Sequence, residues 1–441
     1  MKRLFRTLFN TTILSAALCL AAPAAEFFVH DGDRVVFLGD SITEQRLYTT
    51  YIEAYALTRH PEWKLTFRNV GWGGDTAWLR QRAHPEEDKL FAAAPDTQQQ
   101  MVEDAVKRGL ERDVLPLKPT AVTIKFGMND HSYQSFRPDI FSAYIRSQTE
   151  LAKVLKANGA RLAFLTPQPI EEKRSDPDQD VKNQSLRKFS DGLKEVAAKT
   201  DSIFADQFDP YMAILLRERK QNPPGMIGGG DAVHPGPIGQ TVMAWAVLKE
   251  LGATSLVSRA EINATTGKGS AAEGCKIEEI KGGKDSLSFV RTDSALPMPI
   301  DSRAEASLKL APILDDLNRY ELKVSGLAPG NYKLTIDGET AAATTTSQQL
   351  EKGLNLATTA GPITKQANEV LALVFEKNNV FFNRWRNVQL YNFPSWAKSP
   401  EGEKLKAAEL AKLDQQIADL EDQINAARKP KPHRFELKRV E

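Results

Sequence analysis

Between Arg34 and about Leu251 the sequence alternates short, dense apolar runs with stretches of helical period, and few folds accept that order. The runs are Val35–Leu38, Leu65–Val70, Ala121–Phe126, Leu162–Leu165 and Ile203–Ala205. Their dense apolar content marks strands covered on both faces. Between them, Ile140, Phe141, Tyr144, Ile145, Leu151, Val154 and Leu155 recur at helical spacing and stop at Asn158-Gly159. Gln99–Leu115, Val181–Lys199 and Ile238–Leu251 read as further helices. Five buried strands with helical crossovers predict an α/β domain over residues 26–255. Its parallel sheet lies between two helical layers, a three-layer α/β/α arrangement.

The pattern changes after about Ser255. Asn263–Lys284 is rich in Gly, Ser, Thr, Ala and Lys, so residues 256–284 read as a linker. Leu287–Val290, Tyr320–Val324 and Tyr332–Ile336 follow, with turns at Ala328-Pro329-Gly330 and Asp337-Gly338. They predict a small antiparallel β-rich unit over 285–360. Residues 361–441 read as a helical C-terminal region. Gln366–Glu376 is one helix; Leu410, Leu413, Ile417, Leu420 and Ile424, spaced 3,4,3,4, place another over 402–427. That seam allows either a dimer or packing on its own chain. Arg384-Trp385-Arg386 reads as a solvated strand edge.

Residues 1–25 have the form of a secretory signal: Lys2, Arg3 and Arg6, an apolar run from Thr12 to Ala21, then Ala22-Pro23-Ala24. The expectation is an exported protein, periplasmic or extracellular. The run is short of the roughly 20 apolar residues that span a bilayer, and no later segment qualifies. With 58 basic and 57 acidic residues, nucleic acid is not the expected partner, since phosphate binding needs clustered positive charge. Removal of the leader takes Cys19 and leaves Cys275 alone, so neither a disulfide framework nor a cysteine zinc site is expected. His30, His60, His84, His131 and His433 are scattered, and no metal or cofactor is expected.

Four polar segments fall where predicted strands end or helices begin. Strand one runs into Gly39-Asp40-Ser41, which puts a hydroxyl at the carboxyl edge of the sheet, where open α/β folds bind ligands. Strand two ends in Gly71-Trp72-Gly73-Gly74-Asp75, where glycine lets a backbone N–H approach a substrate closely. Strand three ends in Gly127-Met128-Asn129-Asp130, supplying an uncharged amide donor. Asp231-Ala232-Val233-His234 follows Gly228-Gly229-Gly230, and a carboxylate three residues before an imidazole can fix its tautomer. Each segment alone is ordinary turn chemistry; the order in which they occur is what carries information.

This order resembles the SGNH hydrolase superfamily, the GDSL-type esterases and lipases, whose four blocks centre on Ser, Gly, Asn and His. The resemblance covers about residues 33–252. It implies a flavodoxin-like sheet and acyl transfer to water, with Ser41 as nucleophile, His234 as base and Asp231 as its orienter. The implied oxyanion donors are the Ser41 N–H, the Gly74 N–H and the Asn129 amide; Gly73 is the alternative to Gly74. Because His234 must be neutral to act, activity should fall as acid protonates it. Export, near-neutral charge and the added β unit suggest a short acyl ester on a glycan, acetyl foremost. Trp72, His131 and Tyr133 are candidates to line a sugar site, with plain packing as the competing reading. Lysophospholipid esters are the runner-up substrate; a carbohydrate-binding protein on an inactive scaffold and an O-acetyltransferase are readings from other classes.

Overall fold

The computed structural model describes residues 26–173, 176–222, 225–395 and 398–440; the expected leader, residues 1–25, lies outside them. Five strands, β1 (Arg34–Gly39), β2 (Thr66–Asn69), β3 (Ala121–Lys125), β4 (Arg161–Leu165) and β5 (Ile203–Ala205), pair in parallel in the order β2-β1-β3-β4-β5. Residues along β1 alternate between two cores. Val35 and Phe37 join Tyr48, Tyr51, Phe67 and Val247 on one face, while Val36 and Leu38 join Val102, Val122, Ile124 and Leu151 on the other. This two-sided burial is why the runs are dense in apolar residues. Helices Tyr48–Arg59 and Pro237–Glu250 cover the first face; Pro95–Asp113, Pro138–Ala157 and Val181–Lys199 cover the second. Three of these five begin with proline, whose missing N–H costs nothing in the first turn.

The second half corrects the sequence reading. Residues 256–284 are not a linker. They form β6 (Leu256–Asn263), β7 (Lys268–Glu273) and β8 (Cys275–Gly282), followed by β9 (Ser286–Asp293), β10 (Arg319–Ser325), β11 (Asn331–Ile336), β12 (Glu339–Thr346) and β13 (Leu354–Asn355). The C-terminal segment is not wholly helical either, because β14 (Pro432–Val440) inserts between β9 and β11. The two sheets, β13-β10-β6-β7 and β12-β11-β14-β9-β8, share a core including Ile262, Phe289, Leu322, Leu334, Phe435 and Leu437. Nor is the unit purely antiparallel, since β6 and β10 run parallel. All six residues of β7 are exposed, so it carries no apolar alternation to announce it.

Helices Pro362–Phe382 and Pro400–Ala427 pack against each other, and Leu413, Ile417, Leu420 and Ile424 are buried within the chain. The 3,4,3,4 seam is thus consumed internally and does not present the free face that a dimer would use. Arg384-Trp385-Arg386 lies in a π-helix, Asn383–Gln389, and Trp385 is buried; it is not a strand edge. The C-terminal helices dock on the α/β domain through a buried ion pair. Lys377 Nζ donates to Glu53 Oε1 at 2.6 Å and Asn378 Nδ2 donates to Glu53 Oε2 at 2.9 Å. Burial pushes the Glu53 carboxyl up and the Lys377 ammonium down, each opposed by its partner. Lys377→Ala leaves a buried carboxylate without its cation. We expect a loss of roughly 3–5 kcal/mol in urea unfolding, whereas Lys199→Ala, which breaks an exposed pair, should cost about 0.5 kcal/mol or less.

Candidate active site

Ser41 stands where β1 gives way to the short helix Ser41–Glu44, held by Asp40, whose Oδ1 accepts the Ile42 N–H at 3.0 Å. Its Oγ lies 2.9 Å from His234 Nε2, and His234 Nδ1 lies 3.0 Å from Asp231 Oδ2. Hydroxyl, imidazole and carboxylate therefore form one relay. Asp231 Oδ1 also accepts the backbone N–H groups of Val233 (2.7 Å) and His234 (2.6 Å). Partial desolvation pushes the Asp231 carboxyl up, but these N–H groups and the imidazole outweigh it and hold the carboxyl below its ordinary value. The loop carrying the relay is anchored by buried Glu171. Its Oε2 accepts the Ile227 N–H at 2.8 Å, its Oε1 accepts the Tyr211 hydroxyl, and its own N–H donates to Ala232 O at 2.8 Å. At Gly230 a Cβ would lie 2.0 Å from His234 O, so the turn cannot close on a larger residue.

The loops after β2 and β3 meet beside the hydroxyl. Asn129 Nδ2 spends one hydrogen on Asp75 O at 2.9 Å and retains a second. Its Oδ1 accepts the Tyr133 hydroxyl at 3.1 Å, which fixes the amide's orientation. Gly73 donates its N–H to Glu44 Oε2 at 2.9 Å, whereas among the described residues the Gly74 N–H has no acceptor. Gly74 has φ +76°, a left-handed backbone that favours glycine. The Ser41 N–H, the Gly74 N–H and the second hydrogen of Asn129 Nδ2 are therefore unspent donors among the described residues.

Beneath these loops lies a cluster of buried charge. Lys125 Nζ, at the end of β3, is 3.9 Å from Asp40 Oδ1. Burial lowers its affinity for a proton, opposed by Asp40 and Asp130. Asp130 Oδ1 and Oδ2 each accept a backbone N–H at 2.8 Å, from Ala77 and Gly127, stapling the second loop to the third. Burial pushes the Asp130 carboxyl up to about 7 against those two bonds. Arg82, also buried, donates to Asp75 and to Val70 O and lies 3.1 Å from Asp113 Oδ2. The glycine loop is therefore pinned on both sides. Among the described residues, no group of three or more His, Cys, Asp or Glu side chains could hold a metal ion.

Residues 37–242 match the model of the GDSL-like lipase/acylhydrolase family. This domain belongs to that family. It is accordingly a carboxylic ester hydrolase domain of GDSL type. An acetylxylan esterase of Geobacillus stearothermophilus is 26% identical over 235 residues, covering 51% of this chain and 96% of the relative. The solved structure of a gut microbial diltiazem-metabolizing enzyme is similar over nearly the whole molecule: 93% of this chain and 98% of that one, with 27% identity and a TM-score of 0.75. That likeness includes the β-rich unit and the C-terminal helices as well as the GDSL domain.

Of the side chains expected to line a sugar site, only Tyr133 is exposed (38%), with its hydroxyl on Asn129 Oδ1. His131 is buried, lies 3.1 Å from Gly127 O through Nδ1 and packs on Phe189; it supports the loop rather than facing a substrate. Burial lowers its pKa to about 4 despite its backbone hydrogen bonds. Trp72 packs edge-on to Trp385 and stacks under Arg386, with Arg112 and Arg82 also near its ring, so the packing reading holds for both residues. Sequence reasoning missed Glu44, Glu171, Lys125 and Asp130. A lysine inside the dense run Ala121–Phe126 is a legible signal, because a charge there needs a buried partner. Glu171, far from His234 in sequence and following an ordinary loop, gave none. Tyr133→Phe releases the Asn129 amide. We expect kcat on a small ester to fall about 2- to 10-fold, the value of one hydrogen bond, with KM and melting temperature nearly unchanged.

Proposed function

We propose that this GDSL-type hydrolase is an exported serine esterase that removes short acyl groups, acetyl foremost, from carbohydrate esters. The observation that carries the proposal is the 2.9 Å approach of Ser41 Oγ to His234 Nε2, with Asp231 on the other ring nitrogen. Ser41 Oγ attacks the ester carbonyl carbon as its proton passes to Nε2. The carbonyl oxygen takes the negative charge and is met by the Ser41 and Gly74 N–H groups and Asn129 Nδ2–H. Collapse breaks the bond to the alcohol oxygen, which leaves with the proton from His234. Water then attacks the acyl-Ser41 ester, giving its proton to His234; the acid departs and Ser41 recovers its hydrogen.

Support for the substrate comes from the acetylxylan esterase relative and from the exposed Tyr133, which offers an aromatic surface beside Asn129. The charged leader of residues 1–25 supports export, which would bring the enzyme to polymeric glycans. Among the described residues no helix is long and apolar enough to cross a membrane.

Acetate release from acetylated xylo-oligosaccharides, compared with hydrolysis of a long-chain lysophospholipid, tests the substrate class. Preference for the acetylated sugar is expected; preference for the lipid would overturn it. Ser41→Ala should keep its melting temperature and lose about 10⁴-fold or more in kcat. Activity should fall toward acid with a one-proton slope. The base must be unprotonated to take the Ser41 proton, and kcat/KM measured against pH checks this.

A further inference from the structure

The π-helix Asn383–Gln389 lies far along the chain from the family blocks, yet it touches the loop that carries the glycine donor. Arg386 lays its guanidinium 3.6 Å from the centre of the Trp72 ring, and its Nε is 3.7 Å from Glu44 Oε1. Glu44 passes the contact inward, because its other oxygen accepts the Gly73 N–H at 2.9 Å. A Cβ at Gly73 would lie only 3.9 Å from Ser41 Cβ, which shows how close that backbone runs to the hydroxyl. Trp385, buried, braces Trp72 edge-on at 5.9 Å. A second contact reinforces the first: Arg46 donates to Glu44 O at 2.6 Å, lies 4.2 Å over the Phe382 ring and donates to Asn379 Oδ1 at 3.4 Å.

We infer that Arg386 is a positioning residue: acting through Glu44 and Trp72, it sets the Gly73–Gly74 backbone so that the Gly74 N–H points at the oxyanion. The inference rests on the proposed role of Gly74. Without a partner on its outer oxygen, the half-buried Glu44 carboxylate could rotate and release Gly73. Arg386 gives its outer oxygen a fixed partner while the planar guanidinium clamps the adjacent indole, two tasks that suit arginine better than lysine. The C-terminal region is thereby a working part of the active site. The wide π turn also places Arg384 away from that loop, donating to Asp414 at 2.7 Å, so one short helix serves both the site and the C-terminal packing.

The test compares Arg386→Ala, Arg386→Lys and Glu44→Gln with Arg384→Ala in the full chain. Steady-state kinetics on 4-nitrophenyl acetate and thermal melting are measured for each. Arg386→Ala should lower kcat by about tenfold or more, a fraction of the 10²–10³ that losing a whole oxyanion donor costs, with KM within about twofold. Arg386→Lys, which keeps the charge and safeguards folding, should fall between wild type and Arg386→Ala. Arg384→Ala should retain kcat within about twofold even if its melting temperature drops. Glu44→Gln combined with Arg386→Ala should lose less than the product of the two single effects, because the pair acts as one unit. Unchanged kcat in Arg386→Ala, an effect confined to KM, or an equal loss of kcat in Arg384→Ala would each overturn the inference. Inactivity of Ser41→Ala alongside normal kcat in Arg386→Ala would reject the positioning role while leaving the esterase reading intact.

Discussion

The hydrogen bond between Ser41 and His234 joins residues 193 positions apart, and the sheet is what makes it possible. Five parallel strands bring every carboxyl end to one edge. The order β2-β1-β3-β4-β5 reverses direction between β1 and β3, so the segments leaving those two strands diverge and open a crevice. Ser41 leaves β1, Asn129 follows β3 and the glycine loop follows β2, while the loop ahead of helix Pro237–Glu250 brings His234 to the same rim. No single loop holds the site. Its geometry depends on a register set by side chains such as Val35, Val36, Phe37 and Leu38, which alternate between two cores.

Such a site must be supported from behind. Asp130 ties the second loop to the third through two backbone N–H groups, Asp75 and Arg82 hold the glycine segment, and Glu171 grips the histidine loop. These groups are buried, and placing charge there is unfavourable unless hydrogen bonds and counter-charges offset it. The arrangement trades stability for a fixed set of donors, which is the preorganisation that acyl transfer needs.

Much of this was legible in the sequence, and for physical reasons. The sheet strands are buried on both faces, so their apolar density announced them, and the polar segments at their ends announced the site. Ile203–Ala205 and Val181–Lys199 have the limits their patterns gave. Legibility failed where burial was absent or pairing was remote in sequence. The exposed β7 carries Lys268, Gly269 and Ser270 and resembles a loop by composition; β14, with its alternating His433, Phe435 and Leu437, pairs with strands more than ninety residues earlier in the chain. The role of Arg386 was hidden for another reason: its partners, Glu44 and Trp72, lie over 300 residues away, and no local period encodes such a contact.

The central claim is that one hydroxyl, activated by one imidazole, is the nucleophile. Treatment with a small fluorophosphonate followed by peptide mass mapping tests it most directly, because only an activated serine beside an oxyanion site is phosphonylated quickly. The account predicts a single adduct, on the peptide containing Ser41, with its rate of formation greatly reduced in His234→Ala. An adduct on another residue, or equally fast labelling of Ser41 without His234, would contradict it.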